Sequence, residues 1–169
     1  GSHFANPYTF FKWQSEQICL LYNKIWNLPV SICRFYNVYG PHQLVEGTYC
    51  TVIGIFERLY NQNKPLTITG DGEQRRDFTY VGDIIDGLCK CMKIEDVKSE
   101  IFELGYGKNY SINEIANAFG KDYPIKYIEK RPGEMRETLN TDTKAQKVLG
   151  WKAKTDIIKF IKETYILDK

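Results

Sequence analysis

Asn6-Pro7-Tyr8-Thr9-Phe10-Phe11-Lys12, followed further on by Pro29-Val30-Ser31-Ile32-Cys33-Arg34-Phe35-Tyr36, are the stretches from which the fold is read. Asparagine is a favoured helix cap because its side-chain oxygen accepts an orphan amide, and proline suits the first helical position, where no N–H is needed. Phe11, Ile18, Leu21, Ile25 and Trp26 then recur at helical spacing, which predicts one long helix to about Asn27. The run from Val30 to Tyr36 is rich in β-formers, too short for a helix and stopped by Gly40-Pro41, so it reads as a strand with Asn37 at its end. Helix, short link and strand are half of a βαβ unit, and the strand that should precede the helix is absent from the sequence. The class is α/β.

A polar loop from Gly40 to Tyr49 leads to a helix over about Thr51 to Asn61, with Val52, Ile55, Phe56 and Leu59 on one face. Leu66-Thr67-Ile68 is a short strand after Pro65, Gly70-Asp71-Gly72 demands a turn, Asp77 to Tyr80 is extended, and a helix is expected from about Gly82 to Met92. Ile101 to Leu104 is a strand closed by Gly105 and Gly107. Ser111-Ile112-Asn113-Glu114 has capping-box spacing, which predicts a helix to about Phe119. Ile125 to Ile128 is a strand, Thr141 or Asp142 caps a helix ended by Gly150, and Thr155 to Ile166 forms a last amphipathic helix. The chain after residue 40 therefore reads as a small mixed α/β domain.

Composition narrows the function. With 43% hydrophobic and 26% charged residues over 169 positions, the chain can bury a core without disulfides or a structural metal. Lys plus Arg number 23 and Asp plus Glu 21, a formal net charge of +2, so the protein is not of the nucleic-acid-binding type and an anionic partner is met by a few placed cations. No run approaches the roughly 18 apolar residues of a membrane span. Cys19, Cys33, Cys50, Cys89 and Cys91, with His42, form neither a zinc pattern nor a disulfide framework, so reduced thiols and no metal are expected. Gly1-Ser2-His3 reads as the remnant of a cleaved tag. A soluble cytoplasmic protein is the expectation.

Tyr8 and Lys12 stand four apart on the first helix, about 6 Å along its axis, so both heads can reach one site. A cation beside a phenol favours phenolate and makes tyrosine a usable acid or base. By spacing alone the pair reads as a solvated helix face.

Pro-Tyr-x-x-x-Lys at a helix start, Arg34-Phe35-Tyr36-Asn37-Val38-Tyr39-Gly40-Pro41, the block from Gly70 to Val81, and Arg131-Pro132-Gly133-Glu134 together resemble the extended short-chain dehydrogenase/reductase family. More narrowly they are similar to its NAD-dependent nucleotide-sugar epimerases and dehydratases, with the four blocks in family order and spacing. The family's G-x-x-G-x-x-G loop, its acidic ribose-binding residue and its upstream catalytic Ser or Thr have no counterpart in the sequence.

The resemblance implies that residues 4–40 close a Rossmann-type doubly wound sheet and that residues 41–169 form the nucleotide-sugar-binding domain. It implies that Tyr8 is the catalytic acid/base and that Lys12 holds the nicotinamide ribose, both meeting NAD, while a hydride passes from sugar to cofactor through a transient keto-sugar. Asn37 is implied to contact the diphosphate, although an Asx turn before Gly40-Pro41 explains it from the residues alone. Arg76 and Arg131 match two arginines that grip the diphosphate, a task suited to guanidinium forks. Glu134 matches an acidic position near the nucleotide ribose. Thr67 and Thr69 lie on the strand flanking the base, leaving uridine, thymidine and guanosine open. Thr51 and Val52 match the substrate-side helix start. Arg75 should face the other way, to the surface, and Asp77 and Asp83 should be structural, Asp83 complementing a helix dipole.

Three readings follow: the substrate-binding part of a 4-epimerase, the same part of a 4,6-dehydratase, or a binding module or split-enzyme subunit without redox chemistry. The chain by itself is expected not to turn over. An unpaired strand edge and an apolar helix face favour self-association, so a homodimer is expected.

Overall fold

The computed structural model describes residues 6–94, 100–130 and 133–167; the tag-like residues 1–3 lie outside them. Helix α1 (Pro7–Trp26) forms as its caps dictate: Asn6 Oδ1 accepts the Thr9 N–H at 3.0 Å, and Asn27 ends the helix at φ 51° in the left-handed region. None of its residues is fully buried. Arg34 ties the helix down, spanning Glu16 of α1 at 2.7 Å and Glu103 at 3.2 Å.

Strand β1 (Ser31–Phe35) is the expected strand, but it stops one residue early. The chain changes sheet at Tyr36, whose hydroxyl donates to Glu103 at 2.6 Å, and a separate β2 (Asn37–Tyr39) follows. Asn37 therefore opens a strand rather than ending one.

Five later strands complete three small sheets. β3 (Leu66–Thr69) pairs in parallel with β7 (Ile125–Ile128), and β4 (Arg75–Tyr80) lies in parallel beside β2. β5 (Glu100–Leu104) returns to pair in parallel with β1, Cys33 opposite Phe102. β6 (Asn109–Ser111), which the sequence did not announce, runs antiparallel to β4. Because β5 pairs with β1, the sequence boundary at residue 40 is not a spatial one.

Two cores result. Helix α3 (Val81–Cys91) and α5 (Lys144–Leu149) enclose Ile84, Phe102, Leu104 and Trp151 against β1 and β5. Helices α2 (Val52–Asn61), α4 (Ile112–Ala118) and α6 (Ile157–Ile161) close a second around Phe56, Phe78, Ile115, Phe119 and Ile157. The capping box at Ser111 and Glu114 forms in full.

Buried and half-buried carboxylates hold the main chain. Asp77, fully buried, accepts the N–H groups of Tyr106, Gly107 and Asn140 at 2.8, 2.9 and 3.1 Å, fastening β4 to two loops, as its structural reading required. Asp83 does more than complement a dipole: it accepts the Lys154 and Thr155 N–H groups at 2.9 Å each. That grip holds residue 155 extended, so the last helix begins later than expected, after the Asp156 cap, and widens into a π-helix over Lys162–Leu167. Thr143, rather than Thr141 or Asp142, holds the cap position of α5, while the Asp142 carboxylate accepts the N–H of Lys144, the first helical residue. Asn140 Oδ1 holds the Asp142 N–H at 2.8 Å and displaces the start to Thr143. Arg75 points away from Arg76 as alternation demands, yet it is no free surface charge. It donates to Asn109 Oδ1 at 2.9 Å and pairs with Glu114 at 2.9 Å.

Candidate active site

A cleft of about 210 Å³ lies between the start of α2, the exposed face of β3 and the segment around Glu134. Its walls bring together Asn37, Thr51, Val52, Thr67, Thr69, Arg76 and Glu134, seven of the residues singled out from the sequence. Alternation on β3 buries Leu66 and Ile68 in the core and leaves Thr67 and Thr69 to line the cleft. Thr51 caps α2 by accepting the Gly54 N–H at 3.4 Å, and the first-turn amides of Val52 and Ile53 have no intrahelical acceptor. Gly54 must be glycine, since a Cβ there would lie 2.0 Å from the Leu44 carbonyl oxygen.

Arg76 dominates the electrostatics. Its side chain is 12% exposed, and burial pushes the guanidinium below its ordinary pKa, an effect that nearby Glu134 only partly opposes. One Nη1–H donates to the Arg75 carbonyl at 2.8 Å, and Nη2 stands 3.5 Å from Glu134. A guanidinium carries five N–H donors, so these two contacts leave donor capacity and positive charge over for an anion.

A second lobe of about 260 Å³ adjoins the first through Thr69, Gln74 and Glu134 and is walled by Gly70, Asp71, Lys130, Met135 and Arg136. Arg136 holds Asp71 at 2.8 and 3.0 Å and pulls that carboxyl down to about 2.

Tyr8 and Lys12 are not among the residues lining either lobe. Lys12 Nζ lies 5.7 Å from the centre of the Tyr8 ring, and Tyr8 is 67% exposed. The Glu16–Arg34 contact fixes their level in the fold. Tyr8 is eight residues before Glu16, about 12 Å along the helix, and Asn37 is three residues beyond Arg34, about 10 Å along a strand that runs the opposite way. The phenol and Asn37 therefore stand at the same end of the layer. Arg131 lies outside the described residues.

Residues 3–164 match the family described as GDP-mannose 4,6 dehydratase. The chain belongs to this family, within the extended short-chain dehydrogenase/reductases. Among relatives of this GDP-mannose dehydratase family, a putative UDP-glucose 4-epimerase of Methanocaldococcus jannaschii is 34% identical over 93% of this chain and 51% of its own length. A crystal structure of the Thermotoga maritima UDP-glucose 4-epimerase with UDP-glucose superposes with a TM-score of 0.86 at 29% identity, covering 94% of this chain and 52% of that one. The Bacillus cereus UDP-glucuronic acid 4-epimerase, solved with UDP-glucuronic acid and NAD, gives 0.85 at 27% identity over 98% of this chain and 53% of that one. The chain spans about half the length of the relatives it matches.

The sequence reading passed over Gln74, which is buried between the two lobes. The signal was available. Two positions before Arg76 in an extended segment, it shares that side chain's face.

Proposed function

We propose that the chain is the nucleotide-sugar-binding part of an NAD-dependent epimerase acting at the sugar 4-position through a transient keto-sugar. The observation that carries this is the largely shielded guanidinium of Arg76, with unused donors, in a cleft that also holds Asn37, the α2 amides and a threonine-lined strand. A diphosphate matches that charge, the Glu134 carboxylate suits a hydrogen bond from a ribose hydroxyl, and the edge of β3 that no strand among the described residues pairs with suits a base. Arg131 completes the grip by its match to the family motif.

The exposed Tyr8 phenol with the Lys12 ammonium beside it fits the nicotinamide end of NAD, which when bound takes up the hydride. Tyr8 receives the proton of the sugar hydroxyl, and Lys12 holds ribose hydroxyls. The glycine-rich dinucleotide loop is not in these 169 residues, so turnover belongs to a protein that also supplies it. The apolar side chains exposed along α1, among them Phe11, Ile18, Leu21 and Ile25, support a homodimer through this helix. A reducing cytoplasm suits the five free thiols. A 4,6-dehydratase is the second reading, favoured by the description of the matched family.

Calorimetric titration of UDP-glucose, dTDP-glucose and GDP-mannose into the chain tests the site. Saturable binding of one of them, competed by pyrophosphate, is expected, and no binding of any refutes the reading. In the protein that supplies the dinucleotide loop, Tyr8→Phe should abolish turnover and leave nucleotide-sugar affinity unchanged. Product analysis there separates a C4 epimer from a 4-keto-6-deoxy sugar.

A further inference from the structure

Away from the cleft, β1 and α3 bring two thiols together. Cys33 lies in the middle of β1 and Cys91 ends α3, 58 residues later in the chain, and their Sγ atoms stand 3.4 Å apart. Both are free thiols. A disulfide spans about 2.05 Å, so each sulfur has about 0.7 Å to travel. That is a turn of about 25° about each Cα–Cβ bond, within the breadth of one rotamer well. The approach is one of side-chain rotation rather than of moving a helix.

The pair is also reachable. Both thiols line a cavity of about 530 Å³ whose other walls are Pro29, Ser31, Leu88, Met92 and Ile94. Met92 is 85% exposed, so the cavity meets solvent along that wall. Ser31 lies two residues before Cys33 and shares its face of β1. Its Oγ is buried without a hydrogen-bond partner among the described residues. A small polar molecule in the cavity therefore finds a hydrogen-bonding group beside the sulfurs. Neither sulfur lines either lobe of the cleft described above.

We propose that Cys33 and Cys91 are a dithiol–disulfide couple, oxidised by a hydroperoxide that enters this cavity and linking β1 covalently to the end of α3. Burial raises the pKa of both thiols, Cys33 to about 12, but the hydrogen bond with Cys33 opposes the rise at Cys91, which loses its proton first. The Cys91 thiolate attacks one peroxide oxygen, the O–O bond breaks, and the leaving oxygen takes the proton that Cys91 released. The product is a sulfenic acid. The Cys33 sulfur then attacks that sulfur, an S–S bond forms as the S–O bond breaks, and the departing hydroxide leaves as water with the Cys33 proton. Hydrogen peroxide thereby takes two electrons from the sulfurs and becomes two water molecules. Little of either thiol is ionised at neutral pH, so the couple answers to sustained oxidant rather than to a brief pulse. The link closes a long loop in the unfolded chain, which favours the folded state.

The test is oxidation of the folded 169-residue chain with hydrogen peroxide, followed by alkylation of the remaining thiols and peptide mapping without reduction. Wild type is expected to lose two of its five thiols, to carry a Cys33–Cys91 cross-link within one chain, and to regain both thiols with dithiothreitol. Its melting temperature should rise by about 5–15 °C on oxidation and fall back on reduction. Cys33→Ala and Cys91→Ala should each abolish the cross-link and the rise. Cys89→Ser, at an exposed position two residues from Cys91, should keep both. A wild-type map without that cross-link overturns the proposal whether or not the variants fold, and this includes a map in which Cys91 ends as sulfinic acid or pairs with Cys89. A rise that persists in folded Cys91→Ala also overturns it. So does a cross-link that leaves the melting temperature unchanged or lowers it, since it then forms only at the expense of the fold.

Discussion

Arg76→Met separates the cost of burying a cation from its use. In the folded chain the guanidinium is 12% exposed and, among the described residues, compensated by a 2.8 Å bond to a neighbouring carbonyl and a 3.5 Å approach to Glu134. A hydrogen bond to a charged group is worth about 1.5–3 kcal/mol net, and a two-pronged grip on a diphosphate sits in the upper part of that range, about 2–3 kcal/mol. The variant should therefore bind a nucleoside diphosphate about 30- to 150-fold more weakly. At a ligand concentration about 100 times the wild-type Kd, linkage stabilises wild type by about 2.7 kcal/mol and the variant by about 0.3–0.9 kcal/mol. For a chain of this size these become melting shifts of about 5–11 °C and about 1–4 °C. The assay is thermal unfolding followed by circular dichroism with and without UDP. Without ligand, Arg76→Met should melt no lower than wild type, since a poorly compensated buried charge has been removed and a side chain of similar volume left in place. Equal ligand-induced shifts in the two proteins would refute the reasoning, and so would a large drop in the ligand-free melting temperature.

Other outcomes follow from contacts elsewhere. Arg34 lowers the Glu16 carboxyl pKa by hydrogen bonding, so this link is complete above the ordinary glutamate value near 4.5 and is lost as pH falls through the depressed folded value. Arg34→Met should remove that acid-side dependence and raise amide hydrogen exchange along α1, which buries no residue of its own; exchange unchanged across residues 7–26 would contradict it. Asp77→Ala strands three main-chain N–H groups and should cost about 3–5 kcal/mol in urea unfolding, and a loss below about 1 kcal/mol would show that water replaces the carboxylate. Gly72 has φ +74°, and a Cβ there would stand 2.1 Å from Asn113 Oδ1. Gly72→Ala should cost about 1–3 kcal/mol, with part recovered in the double variant with Asn113→Ala, and strict additivity in that cycle would remove the clash as the cause.

Local signals were legible because each is a short-range rule. Asn6-Pro7 and Ser111-x-x-Glu114 satisfy orphan amides within one turn, and both caps form as read. The short strand after Pro65 likewise forms where it was read, with Leu66 and Ile68 buried. What failed were positions decided by partners distant in the chain. The break between β1 and β2 depends on Glu103 capturing the Tyr36 hydroxyl, sixty-seven residues away, and the late start of the last helix depends on Asp83 holding the Thr155 N–H, seventy-two residues away. β6 exists because β4 offers it an edge, which no property of Asn109 to Ser111 reveals.

The same division runs through the candidate site. By itself the sequence determined the residue types: a phenol and an ammonium one turn apart, guanidinium groups at 76 and 131, and threonines at alternate positions of a strand. Spacing and side-chain chemistry are properties of the chain and survive without a fold. The tertiary structure alone decided that Arg76 is mostly shielded with donors to spare, that Tyr8 stands at the same end of the layer as Asn37, and that Gln74 holds the carbonyl at the end of β3. Burial, level and hydrogen-bond pairing belong to the packing of elements far apart in sequence, and they exist only once α1, β3 and β4 are set against their neighbours.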